Sequence, residues 1–204
     1  MQCRTPAEVL RHELNGVGGD YEDGELAYLA ATTKIELPVR DRLAWRLHKR
    51  LGTQGLVVAR EWRRADLAIL RGIQVETVIE SKALYGFDVH SKPTMQRYMD
   101  KIVADLSKAH QLAPDADRYA LALVTHVEGS VDEHMRGVVK YSAGIAAAVA
   151  RLGSAGSIRT ESRLLLRERL SPLGSLKEVQ LDARRVFGLT LRVHGWLIGP
   201  ATTA

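Results

Sequence analysis

Three residues, Asp66, Glu80 and Lys82, carry the strongest chemical signal in the chain. Asp66 lies in the apolar stretch Ala65–Leu70, and after a turn at Gly72 a second apolar stretch from Val75 brings Glu80, Ser81 and Lys82. Side chains two apart on a strand share a face, so Glu80 and Lys82 point one way and Ser81 the other. A hairpin turning at Gly72-Ile73 sets position 66 roughly opposite position 80. Two carboxylates and an ammonium then converge on one patch. Carboxylates a few ångströms apart repel, and one ammonium offsets only part of that repulsion. A hard divalent cation, Mg²⁺ or Mn²⁺, is the natural compensation. One or two protein carboxylates hold such an ion, while waters and substrate phosphate oxygens complete its shell. That chemistry suits hydrolysis of a phosphate ester, with the lysine acting on the water or on the charge that builds at phosphorus. The competing reading is a surface hairpin with a cross-strand salt bridge. The neighbours Leu67, Ile69, Val75, Val78 and Ile79 favour a buried sheet, where stray charge is costly.

Several elements must position these residues. Val39, Leu43, Leu47 and Leu51 recur every fourth residue, which predicts a helix opened near Leu37-Pro38 and closed by Gly52. Gln54 to Ala59 reads as a strand that ends in the basic run Arg60 to Arg64, and the hairpin follows, making a three-stranded meander. From Pro93, the apolar positions Met95, Met99, Ile102, Leu106 and Ala109 predict a long amphipathic helix, with Arg97, Lys101 and Lys108 on its other side. Tyr119 to Thr125 is apolar without alternation, as in a strand covered on both faces. Upstream, residues 1–32 read as a helix, a glycine-containing turn and a second helix from Leu26 to Ala31. Downstream, a capping box at Ser130 and Glu133 predicts a helix to about Leu152, ended by Gly153. A flexible connection at Ser154 to Ser157 and a hairpin of Leu176–Leu181 with Leu189–Ile198 come after it.

An aspartate on one strand and Glu-x-Lys on the next, inside a helix, three-strand, helix, strand order, resembles the PD-(D/E)XK, or restriction-endonuclease-like, nuclease superfamily. Asp66, Glu80 and Lys82 match its pattern, and Ala65 stands where its namesake proline often sits. The resemblance implies an α/β fold in a single domain spanning 1–204. Its restriction-endonuclease-like α-β-β-β-α-β core, a mixed sheet flanked by helices, would cover about 33–127. An N-terminal helical extension would occupy 1–32, and an additional C-terminal helix and β-hairpin 128–204. The resemblance further implies a Mg²⁺- or Mn²⁺-dependent nuclease hydrolysing DNA, with an endonuclease expected. Asp66 and Glu80 would bind the metal, the backbone carbonyl of Ser81 would add a ligand, and Lys82 would orient the attacking water. Glu36 has two readings: a further acidic residue of the metal site, or the far end of a capping box begun by Thr33. Arg60, Arg63 and Arg64 are the expected phosphate contacts, although alternate residues of a strand face opposite ways. Glu61 is expected to pair with neighbouring arginines, and Lys101 and Asp105 to be solvated or ion-paired. His90 and His126 are read as structural. Two other function classes fit the same residues: a nuclease fold that binds nucleic acid without cleaving, and an unrelated α/β enzyme or interaction module whose motif residues form a salt bridge.

The chain has 204 residues and a formal net charge of +5, enough for one substantial core and mildly favourable to a polyanionic partner. DNA is that expected partner; RNA is compatible with the same chemistry, as is a homodimer. The single cysteine, Cys3, excludes an intrachain disulfide framework and a cysteine zinc cluster. No apolar run approaches the roughly 18 residues needed to span a bilayer, so no membrane partner and a cytoplasmic location are expected. The glycines near position 18 lack the Gly-Lys-Ser/Thr ending of a phosphate-cradling loop, and no Gly-x-Ser-x-Gly elbow is present.

Overall fold

The stripe of Val39, Leu43, Leu47 and Leu51 is fully buried on a helix that runs from Glu36 to Gly52. This is α3 of the computed structural model, which describes residues 6–201; Cys3 lies outside them. Before it come α1 (Pro6–Gly16) and α2 (Glu25–Thr32). After it come β1 (Leu56–Trp62), β2 (Ala65–Arg71), β3 (Gln74–Tyr85), α4 (Lys92–Leu112) and β4 (Asp117–Glu128). The chain closes with α5 (Ser142–Leu152), α6 (Ala155–Leu170), β5 (Leu176–Val186) and β6 (Leu189–Ile198).

All six strands form one mixed sheet in the order β1-β2-β3-β4-β6-β5, with helices on both faces. Strands β1 to β3 are an antiparallel meander, and β4 returns through α4 to lie parallel to β3. Tyr119, Leu121 and Leu123 of β4 pack with the α1–α3 side, whereas Ala120, Ala122 and Val124 pack with α4 and α6. Burial on both faces removes any need for polar alternation, which is why this strand reads as a continuous apolar run. Among the described residues no helix is long and apolar enough to cross a membrane.

The C-terminal hairpin belongs to the sheet itself. Its strand β6 pairs antiparallel with β4 from Ala120↔Ile198 to Glu128↔Thr190, covering an edge that would otherwise expose unpaired backbone groups. Two local expectations are corrected. The capping box at Ser130 does not open a helix. A single 3₁₀ turn at Glu133–Met135 comes first, and α5 starts only at Ser142. Val139 is buried and the Lys140 N–H donates to the Ala31 carbonyl at 2.7 Å, so tertiary contacts with α2 hold this segment out of helix. Ser154 to Ser157 is likewise no flexible joint. The Ser154 hydroxyl accepts the Ser157 N–H and caps α6.

Two irregularities lie next to the site. Strand β1 continues through the basic run to Trp62, and the β1–β2 turn is Arg63-Arg64 itself, with φ of 49° and 71°, preceded by Glu61 at 54°. Left-handed backbone is ordinarily left to glycine or asparagine, so three charged residues there mark a strained turn. The second irregularity is a bulge in the β2–β3 ladder, where Arg71↔Gln74 and Leu70↔Val75 are followed by Ile69↔Thr77. Glu76 is the extra residue, and it shifts the register by one. An unbroken ladder would place Asp66 opposite Ile79. One step beyond the last observed pair, Leu67↔Ile79, it lies level with Glu80.

Candidate active site

Asp66 stands at the end of β2, where the ladder with β3 stops, and its carboxylate reaches sideways. One oxygen accepts the Ser81 backbone N–H at 2.6 Å and the Ser81 hydroxyl at 2.9 Å. The other accepts from Arg40 at 3.3 Å. Arg40 comes from α3, is 6 % exposed, and also pairs with Asp41 and with Glu61. A buried guanidinium shared by three carboxylates ties the start of α3 to the strained β1–β2 turn. The partner of Glu61 is thus an arginine across the fold rather than one of its sequence neighbours.

Glu80 is buried on β3, and its Oε1 has no hydrogen-bond partner among the described residues. Burial, then the nearby charge of Asp66, pushes its carboxyl up to about 7, while Lys108 pulls the other way from 3.8 Å. Lys82, two residues on, bonds Asp105 of α4 at 2.5 Å and donates to the Ser81 carbonyl at 3.0 Å. Burial disfavours its charge, but the bond to Asp105 and the charges of Asp105, Glu36 and Asp66 outweigh that, so its pKa is raised.

Glu36, at the first turn of α3, does not complete a capping box. The Thr33 hydroxyl donates back to Leu29, and the Glu36 carboxylate faces β3, where the backbone N–H of Ala83 favours its charged form. Burial raises its pKa against the attraction of Lys82, and the charge of Asp66 adds to the rise. Glu36 therefore belongs to the same electrostatic neighbourhood as Asp66 and Lys82.

The structure brings Asp66, Glu80, Ser81, Lys82 and Glu36 together at one end of β2 and β3. The arginines expected to grip phosphate each have other contacts. Arg60 is exposed and pairs with Asp41 at 2.9 Å, Arg63 lies over the Trp62 ring, and Arg64 contributes its carbonyl to Lys108. Lys108 was expected on the outer side of its helix; its long stem instead folds back so that the ammonium reaches Arg64 and Glu80. His90 and His126 stay structural. His90 meets the Ser162 hydroxyl at 3.0 Å, and His126 stacks edge-on against His194.

The donor set consists of carboxylates and a peptide carbonyl, all hard oxygens, and it suits Mg²⁺ or Mn²⁺ better than a soft metal. Glu80 Oε1 accepts no hydrogen bond among the described residues and has the Lys108 ammonium 3.8 Å away, so it keeps coordination capacity for a cation. Among the described residues no three His, Cys, Asp or Glu side chains draw close enough to hold an ion between them. Waters and substrate oxygens would have to supply the remaining positions, which is usual for Mg²⁺.

Arg40, Asp105 and Lys108 complete the site, and spacing alone hints at each. Arg40 lies one turn beyond Glu36, and Asp105 and Lys108 continue the series Arg97, Lys101 at intervals of four and three. Neither family models, curated proteins nor solved structures yield a significant match to the chain.

Proposed function

We propose that this protein is a divalent-metal-dependent nuclease that hydrolyses DNA phosphodiester bonds, built on a restriction-endonuclease-like core. The observation that carries this reading is Glu80, a buried carboxyl with a raised pKa whose Oε1 accepts no hydrogen bond among the described residues, two residues from Lys82 and level with Asp66. The helix, three-strand, helix, strand order from α3 to β4 supports it, as does the placement of Glu36 against β3.

In this reading Glu80 and Asp66 hold the cation, with the Ser81 carbonyl and Glu36 as further oxygen donors. The ion would supply neutralisation of phosphate charge and an activated water. Lys82 keeps its proton at neutral pH because its pKa is raised. It therefore works as a charged donor that orients water and stabilises charge on phosphorus, and not as a base. Arg40 holds the Asp66 carboxylate toward Ser81, and Asp105 holds the Lys82 ammonium.

The test is incubation of the purified protein with plasmid, single-stranded DNA and RNA, with and without Mg²⁺ or Mn²⁺, beside Asp66→Ala, Glu80→Ala and Lys82→Ala. Cleavage of DNA that needs the metal and falls at least about 100-fold in each variant is the expected result. Full activity in Lys82→Ala sinks the assignment.

A second reading, a nuclease fold that binds nucleic acid without cutting it, is favoured by one observation. Asp66 is already satisfied by Ser81 and Arg40, and Lys82 by Asp105, so the charges form a closed network. Binding without cleavage under every metal condition would select it.

A further inference from the structure

Beside the candidate site lies a cavity of about 270 Å³ between α4, the end of β3 and the segment that leads into α3. It starts at Ala83, next to Lys82, and Lys34, Arg97, Lys101, Tyr98 and Tyr141 are among its walls. Its size is close to the lower bound of small-ligand pockets, roughly 300 Å³.

Its charge sets it apart. Arg40, Arg60, Lys82 and Lys108 each have a carboxylate within 4.0 Å. Among the described residues, no carboxylate lies that close to Lys34, Arg97 or Lys101. The Arg97 guanidinium meets the Thr94 hydroxyl at 3.4 Å. Asp88 is the one carboxyl in the lining, and it accepts the Tyr85 N–H at 3.4 Å. Three cations without salt-bridge partners around a concave space form a site for anionic oxygens.

The aromatic lining adds a second chemistry. Tyr98 is buried with its hydroxyl donated to the Lys82 carbonyl at 3.0 Å, which fixes the wall. Tyr141 is 46 % exposed, bears on Tyr85 edge-on and has the Lys140 ammonium 5.4 Å from its ring centroid, so its open surface lies beside a further cation. An aromatic surface beside cations suits a base with its phosphate. Arg97, Lys101, Asp105 and Lys108 follow one another at four, four and three residues along α4, so the cavity and the carboxylate site share one helical stripe.

We propose that this cavity binds one unpaired nucleotide of the substrate strand beside the cut, with Arg97, Lys101 and Lys34 on its phosphates and Tyr141 on its base. The inference rests on the nuclease reading and deepens it: the substrate is single-stranded DNA or a strand end, and not uninterrupted duplex.

The test separates binding from cleavage. Full-length protein in EDTA is titrated by fluorescence anisotropy with a labelled 12-nucleotide single strand, with the same sequence as a duplex, and with thymidine 5′-monophosphate as competitor. The single strand should bind at least 10-fold more tightly than the duplex. Arg97→Ala/Lys101→Ala should weaken single-strand binding at least 10-fold and lower the slope of log Kd against log salt by about 1.4, while changing duplex binding less. Both side chains are exposed, and a circular dichroism melt at the wild-type temperature would show the fold intact. Tyr141→Ala should weaken the single strand about 5-fold or more, with Tyr141→Trp restoring it. Equal loss for single strand and duplex, or no loss, overturns the proposal. So does mononucleotide binding that no single strand displaces, because the cavity would then serve free nucleotides. The same samples with Mg²⁺ distinguish the two readings. Intact single-strand preference without cleavage overturns the nuclease and leaves the cavity, whereas cleavage indifferent to Arg97 and Lys101 overturns the cavity alone.

Discussion

Glu80 is the residue on which the chemistry turns, and its environment makes a measurable claim about stability. Its native carboxyl titrates at about 7, whereas the unfolded chain releases that proton near the ordinary value of 4.5. Across that window the native state holds the extra proton, so stability falls as pH rises, and above about 7 the whole penalty is present. Glu80→Gln removes the penalty. At pH 8 without metal the variant should be more stable than wild type by on the order of 2 kcal/mol, with no difference near pH 4, in urea titrations at both pH values. The same variant should lose cleavage. Gain of stability with loss of activity is the expected signature of a carboxylate kept buried for function. A variant less stable at pH 8 than wild type would show that Glu80 is satisfied within the fold.

At the scale of elements, the Arg63-Arg64 turn holds non-glycine residues in left-handed backbone beside Asp66. Each such residue costs about 1 kcal/mol or somewhat more, and strain of this kind clusters at functional sites. Arg64→Gly should therefore raise stability by up to about 1 kcal/mol, read from the urea midpoint, while weakening DNA binding and its salt dependence. An unchanged affinity would remove this turn from the nucleic-acid surface. The bulge at Glu76 is the other decisive local feature. Because side chains alternate, a one-residue shift of β3 would exchange the faces of every residue beyond it, Glu80 and Lys82 included.

For the molecule as a whole, the pairing of β4 with β6 supplies a second pH response. His126 is buried against His194, and burial, then the charges of His194, Arg159, Arg163 and His90, lowers its pKa to about 3. His194 is also lowered, by burial and by Arg163 and Arg159, although its bond to Glu178 opposes this. Between about 6.5 and 3 the unfolded chain binds a proton that native His126 refuses, so stability falls as pH falls through that range. One such group contributes a slope of up to about 1.4 kcal/mol per pH unit. Between about 4.5 and 7 the raised carboxyl of Glu80 gives the opposite slope, so the response is read in a Glu80→Gln background: there the urea midpoint should drop steadily below pH 6.5, and His126→Gln should flatten the slope even if it lowers stability at neutral pH. A pH-independent midpoint between 6.5 and 4.5 in the Glu80→Gln background would contradict this account. Neither histidine bonds to Asp66, Glu80 or Lys82 among the described residues.

How much of this was legible in the chain follows from the range of the forces involved. The buried stripe of α3, the α4 helix, the meander and the doubly covered β4 were legible because each is set by local periodicity. The convergence of Asp66 with Glu80 was legible only roughly, since counting back from Gly72-Ile73 assumes an unbroken ladder and the bulge at Glu76 supplies the missing residue. The sequence by itself determined an α/β chain with one acidic and basic cluster on neighbouring strands. Tertiary structure alone decided that Glu36 turns from its helix cap to β3, that Arg40 and Asp105 hold Asp66 and Lys82, and that three cations with no carboxylate within 4.0 Å among the described residues share a cavity beside them. It also decided that the last hairpin extends the main sheet and that Ser130 caps nothing. The physical reason is the same in each case. A side chain's partner is the nearest opposite charge or unpaired backbone group in the folded molecule, and elements far apart in sequence bring those groups near.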